Sequence, residues 1–462
     1  MDTGMSLEPN DEQRYPTLTD NGRQILRLMR EHPNAPIYRN TSGNRLTQDD
    51  VERVRAFERE VESTPVHHHT SPPSWVPAFL ERCYEQVPFY REQGSAPSDL
   101  RQIGSVTRAD FARDIADFVP DDVDLDRLIN FRTTGTTGNP LLVASHPVVA
   151  ASYLAYHKQA LRRFGIELRH RRGQVGVVLL GFQAHCFTYV SVTPTMDESG
   201  LVKINLHPND WRHPSDRGKY LEALDPEVIA GDPISYAELL RLDLSVRPRA
   251  LLSTAMALTT GLRRQLEERF ECPVLDLYSL NEAGPIGVLD PNLGGHVLLQ
   301  HRLYVEILDD DDNPVPAGQP GEITLTGGFN FCLPLVRYRT GDTARLGVRG
   351  GESVLTDLVG RKPVVFRTHA GDFINNIDVT HALQRFALPQ FRLHQAADGA
   401  LTLTVYGFRG DVEEVHTRLI ALFGARQPLS IDEQAQVDSK VLQYSSDLVS
   451  PDDLVPLIPG SE

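Results

Sequence analysis

Phe131-Arg132-Thr133-Thr134-Gly135-Thr136-Thr137-Gly138-Asn139-Pro140, running into Leu141-Leu142-Val143-Ala144-Ser145, is the segment from which the architecture can be read outward. Glycine lets backbone N–H groups come close to a bulky anion, and threonine sets short hydroxyl donors beside them. That combination suits an oligophosphate; a Thr/Gly-rich surface turn is the competing reading. A Walker A loop would end in Gly-Lys-Ser/Thr and open a helix. Here Asn139-Pro140 leads into the apolar run Leu141–Ala144, which has the composition of a strand. The Walker reading is therefore excluded, and a loop between two strands remains.

Downstream of the loop, Pro147 opens a helical pattern to Gly165, and short apolar strands follow at Val175–Phe182, Val202–Leu206, Val228–Ala230, Ala250–Leu252 and Val274–Leu277. Helical patterns such as Leu262–Phe270 separate some of them, which predicts a largely parallel sheet covered on both faces. From Tyr304 the pattern is β-rich, with turn residues between strands. Past Gly360-Arg361 a strand pair, a helix over Val379–Phe386, a hairpin at Asp398-Gly399 and a helix over Val412–Phe423 make a small α+β unit. Upstream, residues 1 to 16 read as disordered, Asp20 and Thr47 as helix caps, and a third helix starts near Val76. Ile25, Leu26, Leu28 and Met29 mark the first helix, and Val51, Val54, Phe57 and Val61 the buried face of the second. The run His67-His68-His69 reads as a solvated linker, and Asp309–Asp312 before Asn313-Pro314 as a solvated hairpin tip rather than a cation site.

Asp and Glu number 62 against 46 Lys and Arg, a formal net charge of -16, and no basic block stands out. Nucleic acid and anionic membrane surfaces are thereby disfavoured as partners. No apolar run approaches about 18 residues, and the N-terminus is polar, so a cytoplasmic protein is expected. Cys83, Cys186, Cys272 and Cys332 show no CxxC or zinc spacing and read as buried free thiols. Lysine is rare: Lys158, Lys203, Lys219, Lys362 and Lys440 are the full set, so each invites scrutiny.

Taken together, four segments resemble the adenylate-forming superfamily of acyl-CoA synthetases, and within it the phenylacetate–CoA ligase-like branch. TTGTTGNP is similar to the family's phosphate loop, YSLNEAG (Tyr278–Gly284) to its adenine- and magnesium-binding motif, PGEITLTG with PLVRYRTGD (Pro334–Asp342) to the segment ending in a ribose-binding aspartate, and Val359-Gly360-Arg361 to the hinge. The resemblance implies an α/β fold with a large multi-layered N-terminal domain over residues 1–358, mostly parallel sheets and a β-rich subdomain. A small mobile α+β lid domain over residues 359–462 is implied with it. It implies that Thr133, Thr134, Gly135, Thr136, Thr137, Gly138, Asn139, Ser253, Asp276, Tyr278, Ser279, Asn281, Asp342 and Arg361 bind the nucleotide. Glu282, a hard oxygen donor, would hold Mg²⁺. Lys440 and Arg361 would supply positive charge for the chemistry, alongside Glu282. Phe182, His185 and Phe187 would wall the acid pocket, bordered by Tyr278, Ala283 and Gly284.

The expected reaction is ATP-dependent activation of a small carboxylic acid, aromatic by analogy, with pyrophosphate release and transfer from AMP to coenzyme A. An amine, a carrier protein or another nucleophile in specialised metabolism is the alternative acceptor, and a nucleotide-binding module without catalysis a third reading. The expected assembly is a monomer or homodimer. Two departures from the family pattern stand out. Asn139 occupies the usual loop lysine's place, and Lys362-Pro363-Val364 replaces the usual hinge aspartates.

Overall fold

The computed structural model describes residues 10–67, 71–132, 141–183, 186–360, 364–437 and 441–448. Strands β1 (Ile129–Arg132) and β2 (Leu142–Ser145) pair antiparallel with Arg132 opposite Leu142, so the Thr/Gly segment joins two paired strands. The helix Pro147–Arg163 follows, with proline at its first position and the His146 ring accepting from the Val148 amide at 3.1 Å.

The central sheet is built from β3 (Val175–Gly181), β4 (Tyr189–Thr193), β5 (Ser199–Asn205), β6 (Val228–Gly231), β7 (Ala250–Ser253) and β8 (Val274–Leu280). In space the order is β8-β7-β6-β3-β5-β4, parallel throughout except for β4 at the edge. Both faces are covered, which is why these strands read as continuous apolar runs. On one face Val178, Leu180, Val202, Ile204 and Leu251 pack against Ile25, Leu26, Met29, Leu262 and Phe270 from flanking helices. On the other, Leu252 and Leu275 meet Val149, Ala155, Tyr156 and Ala160 of the helix Pro147–Arg163.

At β8 the sheet changes character. Strand β9 (Gly284–Asp290) runs antiparallel to it, followed by β10 (Gly295–Leu298), β11 (Leu303–Leu308), β12 (Pro320–Gly327), β13 (Leu335–Arg349) and β14 (Glu352–Val359). Among the described residues this gives one twelve-stranded mixed sheet. The β-rich part thus begins at Gly284 and not at Tyr304. The small α+β unit holds β15 (Val365–Arg367), β16 (Phe373–Asn375), β17 (Gln390–Gln395), β18 (Leu401–Tyr406), β19 (Leu429–Gln434) and β20 (Tyr444–Ser446). Phe366, Leu393, Leu403, Val415, Leu419 and Phe423 form its own core. It touches the large unit where the Gly261 amide donates to Gln384 O at 2.9 Å and Gln436 Nε2 donates to Ile234 O at 2.6 Å.

Several expectations are corrected. Residues 11–14 form a helical turn closed by a capping box from Asn10, and Tyr15 is buried with its hydroxyl on Val190 O at 2.9 Å, so residues 10–15 are ordered and not part of a disordered segment. Thr19, not Asp20, caps the helix Asp20–Glu31, because its hydroxyl is the one that reaches the third helical amide, and Leu28 faces solvent. The helix expected over Val379–Phe386 spans Asn376–Leu383, since Phe386 enters the core from the following loop. Cys186 is part-exposed, unlike the other three free thiols. The Asp309–Asp312 segment is the exposed hairpin tip expected between β11 and β12, with Asp309 Oδ1 accepting from the Asp311 and Asn313 amides and Asp312 ion-paired to Arg339 at 2.8 Å. His68 and His69 lie outside the described residues. Among the described residues no helix is long and apolar enough to cross a membrane.

Candidate active site

The carboxyl ends of β6 and β7 lie beside the first half of β8, with Gly231 opposite Ser253 and Ser253 opposite Asp276. In open parallel sheets this edge is where ligands bind, where the strand order reverses. Ser253 is fully buried and its Oγ has no hydrogen-bond partner among the described residues. Asp276 is enclosed by protein yet part-exposed; burial pushes its carboxyl up to about 7, against the opposing pull of the Arg263 charge. Across the crevice, burial holds His296 down at about 4, and its ring lies 6.5 Å from that of Tyr278.

The turn Asn281–Gly284 between β8 and β9 is fixed by four side chains from elsewhere. Tyr153 donates its hydroxyl to Asn281 O at 2.8 Å. Gln300 Nε2 donates to Ala283 O at 2.7 Å and to Pro285 O at 2.8 Å. The Tyr338 hydroxyl donates to Glu282 Oε1 at 2.6 Å, and Phe111 stacks on the Tyr338 ring at 4.9 Å, almost parallel. Phe329 closes the turn from below. Gly284 has φ +74°, and a Cβ there would stand 2.5 Å from the Phe329 ring, so shape and backbone both demand glycine. Glu282 itself is buried.

A second link ties β8 to β13. The Tyr278 hydroxyl donates to Asp342 Oδ2 at 2.8 Å. Burial, with the nearby carboxylates Asp342 and Glu282 respectively, drives the Tyr278 and Tyr338 phenols well above their ordinary range, so both remain donors at any working pH. Asp342 lies inside β13 at a break in register with β12, where Gly341 takes φ +80° and its amide donates to Glu322 Oε1 at 2.9 Å. A bulge re-aims a side chain without ending the strand. A Cβ on Gly360 would be 3.5 Å from Asp342 Oδ1, so the strand leading to Arg361 passes directly over this carboxylate.

The AMP-binding enzyme family model matches residues 93–331. This chain belongs to the AMP-binding enzyme family. Phenylacetate-coenzyme A ligase of Escherichia coli (strain K12) is 25% identical over 292 residues, 58% of this chain and 64% of that one. The enzyme of the same name from Thermus thermophilus is 29% identical over 294 residues, 56% of this chain and 61% of that one. Protein CapK of Staphylococcus aureus is 20% identical over 308 residues, 62% and 64% of the two chains. The match therefore spans less than two thirds of these relatives' length. The fold is shared with a solved 2-hydroxyisobutyryl-CoA ligase in the postadenylation state, with a TM-score of 0.61 at 15% identity over 88% of this chain and 91% of that one.

In this AMP-binding enzyme the structure gathers Ser253, Asp276, Tyr278, Ser279, Asn281, Glu282, Ala283, Gly284 and Asp342 on strands and turns along one sheet edge. Phe182 lies at the end of β3, with its ring 5.5 Å from His207, and Phe187 is exposed beside Tyr189 at 5.7 Å. Thr133, Thr134, Gly135, Thr136, Thr137, Gly138, Asn139, His185, Arg361 and Lys440 lie outside the described residues. Tyr153, Gln300 and Tyr338 were not foreseen as site residues. Tyr338 stands inside PLVRYRTGD and so carried a signal; Tyr153 and Gln300 carried none. Among the described residues no cluster of three His, Cys, Asp or Glu could hold a metal ion. Glu282 alone, with Oε2 left free of hydrogen bonds among the described residues, fits a magnesium ion carried in by nucleotide phosphates, which needs only one or two protein carboxylates.

Proposed function

We propose that this enzyme activates a small aromatic carboxylic acid with ATP and passes the acyl group to coenzyme A. The observation that carries the reading is the pair of tyrosine–carboxylate links, Tyr278–Asp342 and Tyr338–Glu282. They join the adenine-type and ribose-type motifs across the sheet edge. Residues 1–358 hold nucleotide and acid, and residues 359–462 act as a lid. The substrate carboxylate oxygen attacks the α-phosphorus, the bond from that phosphorus to the bridging oxygen breaks, and pyrophosphate departs. The acceptor thiolate then attacks the acyl carbon and AMP leaves.

Asp342 is aimed to accept from ribose hydroxyls, with Tyr278 fixing its carboxylate. Asp276 and the backbone near Ser253 face the adenine edge. Magnesium, when bound with ATP, supplies positive charge against the phosphates, and Glu282 holds it. Lys440 and Arg361 neutralise the charge that builds at the α-phosphate. Asn139 in the loop and Lys362-Pro363 at the hinge favour a second reading of the acceptor, an amine or a carrier-protein thiol. Pyrophosphate release with ATP, Mg²⁺ and an acid panel tests the first half-reaction, and product analysis with coenzyme A or amines the second. Glu282→Ala should lower pyrophosphate release roughly 100- to 1000-fold. A soluble variant of near-normal activity would refute the metal assignment.

A further inference from the structure

A cavity of about 250 Å³ opens between the helices Gln48–Ser63 and Pro147–Arg163 and the segment that follows β12. Phe57, Phe329, Phe331 and Val149 line it, and Arg53 and Arg302 stand exposed at its rim. Ligand pockets have this make-up, mostly apolar and aromatic with a few charged groups. A dry cavity of about 150 Å³ holds benzene, so this one has room for a single ring and one polar substituent. The Arg302 guanidinium is engaged: its Nε donates to Glu60 Oε1 at 2.7 Å, an oxygen shared with Nε2 of the buried His301 at 2.8 Å. Arg53 is not. Asp50 Oδ1 stays 3.9 Å from it, while Asp50 Oδ2 accepts from the Thr47 amide at 2.9 Å and from Arg127 at 2.7 Å. Among the described residues Arg53 makes no hydrogen bond, and its guanidinium carbon sits 5.5 Å from the centre of the Phe331 ring. The lining thus carries two positive charges, Arg53 and Arg302, against the one negative charge of Glu60. A planar guanidinium with unmet donors beside aromatic rings matches a carboxylate fork to fork, and a ring attached to that carboxylate fills the apolar part.

The same cavity reaches the candidate active site. Phe329, one of its walls, is the ring that closes the turn Asn281–Gly284, 2.5 Å from where a Gly284 Cβ would stand. Tyr153 meets Phe329 edge-on at 5.1 Å and donates to Asn281 O at 2.8 Å. Phe57, on the helix Gln48–Ser63, meets Phe329 at 5.8 Å. Asn330, next in the chain, donates through Nδ2 to Ala144 O at 2.9 Å, and Ala144 lies on β2, the strand that leaves the Thr/Gly segment. A guest packed against Phe329 and Phe331 is therefore one contact away from the turn that carries Glu282 and from that strand.

We infer that this cavity is a second ligand site, which takes a single-ring aromatic carboxylate with its carboxylate on Arg53, and that occupancy pins Phe329 and strengthens nucleotide binding at the turn Asn281–Gly284. Holding a ring on which the turn already rests lowers the cost of ordering that turn around a nucleotide, a coupling that needs no change of shape. By reciprocity the nucleotide tightens the guest by the same factor. The coupling rests on the reading of this turn as nucleotide-binding; the site itself does not.

Two binding measurements on the full chain test it. First, phenylacetate is titrated by calorimetry into wild type, Arg53→Met and Ala56→Trp. Ala56 also lines the cavity and is exposed, so a tryptophan there fills the space without entering the core. Wild type should bind one equivalent of phenylacetate that each variant holds roughly 10- to 100-fold more weakly, the worth of a charge-assisted hydrogen bond for Arg53→Met. Benzyl alcohol, with the ring and no charge, should bind wild type as weakly as phenylacetate binds Arg53→Met. Phenylacetate binding that both variants leave intact would overturn the site. Second, a non-hydrolysable ATP analogue with Mg²⁺ should tighten that equivalent roughly 5-fold or more in wild type, and phenylacetate should tighten the analogue equally. Hydrogen exchange at residues 281–284 should slow when phenylacetate is added. Both variants should bind the analogue alone as wild type does and show neither effect. Coupling that persists in both variants would belong to the acid pocket and would overturn the link through Phe329. Failure of wild type to bind the analogue would refute the nucleotide reading of the turn while leaving the phenylacetate site standing.

Discussion

The hydroxyl of Tyr338 holds one oxygen of Glu282, and Phe111 stacked on its ring keeps it there. Partners that orient a metal-binding carboxylate typically contribute about 10- to 100-fold in metal affinity. Tyr338→Phe should therefore raise the Mg²⁺ concentration needed for half-maximal pyrophosphate release by about that factor, with kcat at saturating Mg²⁺ near normal. Mn²⁺ bound with a non-hydrolysable ATP analogue, followed by electron paramagnetic resonance, should weaken in parallel; unchanged Mn²⁺ affinity would remove Tyr338 from this role. Asp276 offers a pH test. Its carboxyl rises from 3.8 when unfolded to about 7 when folded, so the native state binds the extra proton across that window. Its contribution to stability is complete below the unfolded value and fades as pH climbs through about 7. Asp276→Asn should thus gain stability relative to wild type as pH rises from 5 to 8 in urea titrations. A constant difference between the two proteins would contradict the burial of this group.

At the scale of elements, the crevice depends on where strands change direction. Parallel strands bring Ser253 and Asp276 to one edge, and the reversal from β8 to β9 sets the turn Asn281–Gly284 beside them. Another element-level contact joins the small α+β unit to the large one. Gly261, in the first turn of the helix Thr260–Phe270, lies so near the small unit's backbone that a Cβ would stand 2.2 Å from the Phe386 carbonyl carbon. Backbone on both sides cannot give way as a flexible side chain could. Gly261→Ala should therefore push the small unit off the large one without unfolding either, read as faster proteolysis in the 359–365 segment and a larger radius of gyration in solution scattering. Unaltered cleavage and scattering would show that this contact does not hold the two units together.

For the whole molecule the question is how two units divide the work. If Lys440 is the lid lysine that serves adenylation, Lys440→Ala should nearly stop pyrophosphate release. The same variant, given ready-made acyl-adenylate and acceptor, should form product at close to the normal rate, because this charge acts on the pentacoordinate phosphorus and is idle afterwards. Equal loss of both half-reactions would indicate a docking defect, and no loss of the first would exclude Lys440.

Much of this was legible in the chain itself. The apolar runs of β3, β5, β6, β7 and β8 announced a buried parallel sheet because each strand is covered on both faces, so its side chains need no alternation. Tyr278, Glu282 and Asp342 were legible because short motifs carry their chemistry in local order. The edge strand β4 was not legible, nor the bulge that aims Asp342, nor the clamps made by Tyr153 and Gln300 on the turn. Tyr153 lies 128 residues from the carbonyl it binds, and no local pattern records that distance. The place of Lys203, opposite Leu179 and Tyr189, likewise follows only from the register of β5 between β3 and β4. Local sequence fixes which backbone states and motifs are available, whereas the pairing of distant strands determines which side chains share a cavity.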